Sequence, residues 1–183
     1  MSTVKPERHG IQSVRIPSGS AVIEGELILP EASAGVVVFA HGSGSSRFSP
    51  RNQYVARAIR SSGTATLLMD LLTREEERID EMTRRFRFDI ALLASRLADA
   101  ARWLLSLNAT RGMRIGFFGA STGGGAALVA AAELGVTAAA DQPVVAVLSL
   151  WICRVVSAVS FRIDIKDHYA ACCVGIVDQD MRL

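Results

Sequence analysis

Cysteine is scarce: Cys153, Cys172 and Cys173 are the three in 183 residues. They lack the paired spacing of a zinc site or of a thiol–disulfide exchange motif, so they read as reduced thiols of a cytoplasmic protein. Histidine is equally sparse, at His9, His41 and His168. Neither sign of charge predominates, because 20 Lys and Arg face 18 Asp and Glu for a net charge of +2. No basic stripe tracks phosphates, and a nucleic-acid partner is not expected. A clean membrane span is missing too. The longest apolar stretch, Pro143 to Phe161, carries Arg154 near its middle and several serines, which suits a buried strand or core helix better than a bilayer. The first ten residues are polar, with Lys5, Glu7, Arg8 and His9 where a secretory signal would be apolar, so export is not expected.

What the chain does have is apolar mass. Half of its residues are hydrophobic, enough for a single domain over 1–183 with one sizeable core. Ile11 to Ile16 and Ala21 to Leu29 alternate loosely around Pro17, Ser18 and Gly19, which predicts an antiparallel pair at a sheet edge. Val36 to Ala40 has no polar face and predicts a central parallel strand. Ser49-Pro50 reads as an N-cap followed by proline at the first helical position, opening a helix that ends near Gly63. Thr64 to Met69 is a second buried strand. Thr73 to Arg87 is dense in charge and reads as a solvated connection.

From Asp89 to Leu107, Leu93, Leu97, Ala100 and Leu104 recur at helical spacing and form one stripe. Met113 to Phe118 is a third strand, Ser121 to Leu134 a helix with Gly135 as its C-cap, and Val144 to Leu150 one more strand. Trp151 to Leu183 yields no assignment. This alternation implies an α/β fold, a mostly parallel sheet with helices on both faces.

Two glycine-rich turns follow strands. Gly119-Ala120-Ser121-Thr122-Gly123 lies between a strand and a helix, the context of a nucleophile elbow, with Gly119 and Gly123 relieving the crowding around Ser121. The bland alternative is a tight turn in which Ser121 merely caps the helix. The N–H of Thr122 at the helix start is one candidate oxyanion donor, and the N–H of Ser43 in His41-Gly42-Ser43-Gly44 is the second. His41 reads as a structural residue holding that loop.

Together with Ser49-Pro50-Arg51-Asn52, the strand end Met69-Asp70-Leu71-Leu72-Thr73 and the run Phe118 to Gly125, these turns resemble the α/β-hydrolases, specifically the dienelactone-hydrolase-like small serine hydrolases. The resemblance covers about residues 36–140; residues 141–183 are atypical. It implies hydrolysis of a small ester, lactone or related acyl substrate through an acyl-enzyme on Ser121, without metal or cofactor. The family places an acid and then a histidine on loops after later strands. Here His168 is the base candidate and Asp164 its orienter, although the two sit too close in sequence to occupy separate strand-end loops. The stretch after Leu134 has room for two strand–helix units of about 25 residues each, where the family has about three further strands. The C-terminal strands are therefore expected to be incomplete.

Two other readings stand beside the hydrolase. An impaired α/β-hydrolase remnant would keep the elbow as scaffold and offer a sheet edge for self-association. Nucleotide binding would use Gly42-Ser43-Gly44, but Arg47 occupies the place of the third glycine and Gly123-Gly124-Gly125 is not followed by the Lys-Ser/Thr pair of a phosphate loop.

Overall fold

The computed structural model describes residues 10–137, 144–148 and 172–174. The sequence folds into strands β1 (Gln12–Ser18), β2 (Ala21–Ile28) and β3 (Gly35–Ala40), helix α1 (Pro50–Ser61), and strand β4 (Ala65–Met69). Helices α2 (Arg74–Thr83) and α3 (Ile90–Ser106), strand β5 (Arg114–Gly119), helix α4 (Thr122–Thr137) and strands β6 (Val144–Leu148) and β7 (Cys172–Val174) complete it.

The strands form one sheet in the order β1-β2-β4-β3-β5-β6-β7. β1 and β2 pair antiparallel and β2 joins β4 antiparallel, while the contacts β4-β3, β3-β5, β5-β6 and β6-β7 are parallel. The expected edge pair and central strand are both present. Alternate residues of β3 enter opposite cores: Val36, Val38 and Ala40 pack on the face that carries α3 and α4, and Phe39 packs with Leu68, Phe118 and the α1 residue Ala56 on the other. A strand covered on both faces has no position left for a polar side chain. The Phe39 and Phe118 rings lie 4.9 Å apart, and each buried ring contributes about 2 kcal/mol by leaving water.

The α3 stripe is as expected, with Leu93, Leu97, Ala100 and Leu104 all buried. Asp89 caps it, its carboxylate accepting from the Leu92 N–H at 3.0 Å.

Three local expectations need correction. Thr73 to Arg87 is not a plain solvated connection, because it contains α2. There Thr73 Oγ1 accepts from the Glu76 N–H at 3.1 Å and Glu76 accepts from the Thr73 N–H at 2.7 Å, a reciprocal cap that starts the helix. Ser49 is the N-cap residue of α1 with Pro50 after it, as expected; its side chain makes no cap bond, and its carbonyl accepts the first helical bond from the Gln53 N–H. Pro17 and Ser18 belong to β1 rather than to the turn, which an edge strand tolerates because proline there forfeits no inner ladder bond. Gly135 lies inside α4, not at its end.

Candidate functional site

The site lies at the C-terminal ends of β3 and β5, where each strand leaves the sheet. Ser121 follows β5 with a backbone φ of +54°. That left-handed conformation is uncommon for a side-chain-bearing residue and costs about 1 kcal/mol or more. The strain is held by the surrounding backbone. The Ala120 N–H donates to the Ala40 carbonyl at 3.2 Å, the Gly123 N–H to the Ala120 carbonyl at 3.0 Å, and the Gly124 N–H to the Ser121 carbonyl at 2.9 Å. The two flanking glycines are sterically required: a Cβ on Gly119 would lie 2.5 Å from the Gly123 carbonyl oxygen, and one on Gly123 would overlap the carbonyl oxygens of Ala40 and His41. Ser121 itself is exposed. It stands at a sharp strand-to-helix turn, not within the helix as a mere extension of it.

The loop after β3 meets this turn. A Cβ on Gly42 would sit 3.2 Å from the Ala120 carbonyl oxygen and 3.4 Å from Ser121 Cβ, so the two turns are in close approach. The loop reverses through a bond from the Ser45 N–H to the Gly42 carbonyl at 3.1 Å, with Gly44 at φ +73° supplying the positive angle. This places Ser43 beside Thr122: the Ser43 N–H donates to Thr122 Oγ1 at 3.0 Å. Five residues singled out from the sequence, Ser43, Gly119, Ser121, Thr122 and Gly123, thus converge. Asp164 and His168 lie outside the described residues.

His41 is buried, with its Nδ1 3.0 Å from the Gly42 carbonyl oxygen and its Nε2 buried without a partner. Burial lowers its pKa, against an opposing upward pull from the Gly42 hydrogen bond. A neutral ring with its proton on Nδ1 satisfies that geometry, as expected for a structural histidine.

Charged residues outside the two motifs fix the loop. Arg47 pairs with Asp70 at the end of β4, and its Nη2 lies 3.1 Å from Glu24 Oε2 of β2. The Arg47 carbonyl accepts from Gln53 Nε2 of α1 at 3.1 Å. Arg47 therefore fills an ion-pair site where a dinucleotide turn would have glycine. Opposite the loop, α2 forms the far wall of a cavity of about 240 Å³ that reaches Ser43, Thr122, Leu71 and Leu93 and carries Glu77 and Asp80. Burial raises the Glu77 carboxyl, with Arg47 pulling it down. The buried Asp80 accepts from the backbone N–H groups of Phe86 at 2.6 Å and Arg87 at 3.1 Å. Glu76 joins α2 to α3 by accepting from Arg96 at 2.8 Å. Sequence reasoning passed over this wall, although the Thr73-to-Glu76 spacing of a capping box signalled it. Among the described residues no His, Cys, Asp and Glu group could hold a metal, and no helix is long and apolar enough to cross a membrane.

No protein-family model matches the sequence. Two Mycobacterium tuberculosis proteins, each named "putative phosphoribosyl transferase", are 54% identical over 122 residues, which is 67% of this chain and 27% of theirs. The chain thus spans about a quarter of the length of these curated relatives. Among solved structures, the dienelactone hydrolase of Anabaena variabilis is 45% identical, with a TM-score of 0.70 over 78% of this chain and 74% of that one. The Pyrococcus furiosus esterase is 21% identical, with a TM-score of 0.54 over 76% of this chain and 51% of that one, a likeness of fold alone. With the left-handed serine turn, the glycine-walled elbow and the mixed sheet already in place, the 45% identity to a protein of which it covers nearly three quarters decides the matter: the chain belongs to the dienelactone-hydrolase-like group of the α/β-hydrolases.

Proposed function

We propose that the protein is a serine hydrolase of small esters, lactones or related acyl compounds, with Ser121 as nucleophile. One observation carries the reading: Ser121 holds a left-handed φ of +54° on a turn whose flanking positions admit only glycine. Strain of that kind persists where the surroundings enforce it, and here it raises a hydroxyl above the strand ends. In the reaction Ser121 Oγ attacks the acyl carbon, and the carbonyl oxygen gains negative charge that the Ser43 and Thr122 N–H groups stabilise. A base takes the Ser121 proton and passes it to the leaving oxygen; water then cleaves the acyl-enzyme along the same path in reverse. His168 with Asp164 is the base pair available after Ser121 in the sequence. No metal, cofactor, nucleic acid or membrane is needed for these steps.

The test is turnover of a small activated acetate ester and a five-membered lactone. Ser121→Ala should abolish both while the protein still unfolds cooperatively; unchanged turnover excludes Ser121. His168→Ala should lower the rate by less than the ~10⁴-fold expected for a triad base. A larger loss at unaltered stability would assign the base to His168.

The transferase name belongs to relatives of which this chain matches 27%. Gly42-Ser43-Gly44 lacks the third glycine of a nucleotide turn, and Arg47 in its place is committed to Asp70. A phosphoribosyl donor or nucleotide that raised the melting temperature would favour the transferase over the hydrolase.

A further inference from the structure

The Ser43 N–H already has an acceptor, and it is the Thr122 hydroxyl rather than solvent. Ser43 N lies 3.0 Å from Thr122 Oγ1. One amide carries one hydrogen. An oxyanion using it must stand about 2.7–3.1 Å from the same nitrogen, in space that the Thr122 oxygen fills. We propose that the Thr122 side chain masks the Ser43 donor in the ligand-free protein, and that the oxyanion hole opens when Thr122 turns about χ1. This rests on the hydrolase reading above and adds a regulatory step to the same site.

Of the two partners, the loop is the fixed one. Ser43 sits inside the Gly42-to-Ser45 turn, Gly42 lies against the Ala120 carbonyl, and Arg47 ties the loop to Asp70 and Glu24. Moving Ser43 away would disturb all of these. Turning Thr122 disturbs one hydrogen bond. Helical threonine divides between two χ1 rotamers, and Thr122 borders the open cavity, where its freed hydroxyl can meet water. The second donor, the Thr122 N–H at the first position of α4, has no intrahelical acceptor and needs no unmasking. The resting hole therefore has one free donor and one that a ligand must win.

Breaking a neutral hydrogen bond of this kind slows engagement of the hole by about fivefold, the equivalent of roughly 1 kcal/mol. Two measurements on the full chain test the mask. In the ¹⁵N-labelled protein, the Ser43 amide should be shifted downfield and protected from exchange in wild type and in Thr122→Ser, and should lose both features in Thr122→Ala. A fluorophosphonate, whose tetrahedral adduct places an oxygen in the hole, should modify Ser121 about fivefold faster in Thr122→Ala, with Thr122→Ser restoring the slower rate. A Ser43 amide as protected in Thr122→Ala as in wild type overturns the proposal, and so does slower modification in Thr122→Ala. If no variant is modified, the hydrolase reading fails, and the Ser43 amide alone decides whether the mask exists.

Discussion

Gly123 of α4 meets the Ala40 carbonyl of β3 so closely that no side chain fits between them; a Cβ there would overlap the oxygen. The neighbour is backbone of a central strand, so it cannot swing aside. Gly123→Ala should therefore destabilise the protein by about 3 kcal/mol, the upper end for overpacking, and displace Ser121. Gly125, two residues on, meets only Ile90 Cδ1 at 3.6 Å, an ordinary contact. Gly125→Ala should stabilise α4 by about 0.5–1 kcal/mol. Denaturant titration of both variants decides this: equal effects would mean that the elbow is not under steric constraint.

Arg47 is the fastening of the loop that carries Ser43. Its side chain is 12% exposed and that of Asp70 16%, so removing one partner leaves a largely desolvated charge behind. Arg47→Met should cost about 3 kcal/mol. The double variant Arg47→Met/Asp70→Leu should recover much of that, because no lone charge remains at the pair. A loss of under about 1 kcal/mol in the single variant, typical of a surface pair, would show that the loop is held by other means.

Two groups make stability fall with acid in separate windows. The His41 pKa is lowered by burial, so the unfolded chain binds its proton more readily. That contribution is complete above the unfolded value of about 6.5 and is lost as pH falls through it toward the folded value. For Asp80, burial raises the carboxyl, but hydrogen bonds from the Arg87 backbone and side chain and from the Phe86 backbone outweigh it, and the net direction is down. Its contribution is present above the ordinary carboxylate range and is lost below about pH 4. Urea unfolding at pH 7, 6, 5, 4, 3 and 2 should show His41→Gln flattening the upper part of the profile and Asp80→Asn the part below about pH 4. An upper slope unchanged in His41→Gln would mean that the ring is charged in the folded protein.

The strand–helix rhythm was legible because β3, β4 and β5 are covered on both faces and consist of apolar runs, and because α3 carries a single uninterrupted stripe. Helix α2 was not. Its charge density resembles that of a loop, and the residue that pins the segment after it is the buried aspartate Asp80 rather than an apolar side chain. The elbow was legible because close packing at Gly119 and Gly123 leaves a sequence mark. The bond between Ser43 and Thr122 was not, since residues 79 apart meet only through the register of β3 against β5. Gly135 misled as a C-cap because glycine inside a helix facing open space is merely unfavourable, and α4 continues past it.

The central claim, that the strained serine is the reactive group, is tested most directly by locating a fluorophosphonate adduct by mass spectrometry in wild type and in Ser121→Gly. Glycine adopts φ +54° without strain, so the variant should be about 1 kcal/mol more stable than wild type while losing the adduct. An adduct on Ser121 in wild type, absent from a stabilised Ser121→Gly, is the result predicted here. No adduct on Ser121 in wild type, or one that persists at the same level in Ser121→Gly, would contradict it.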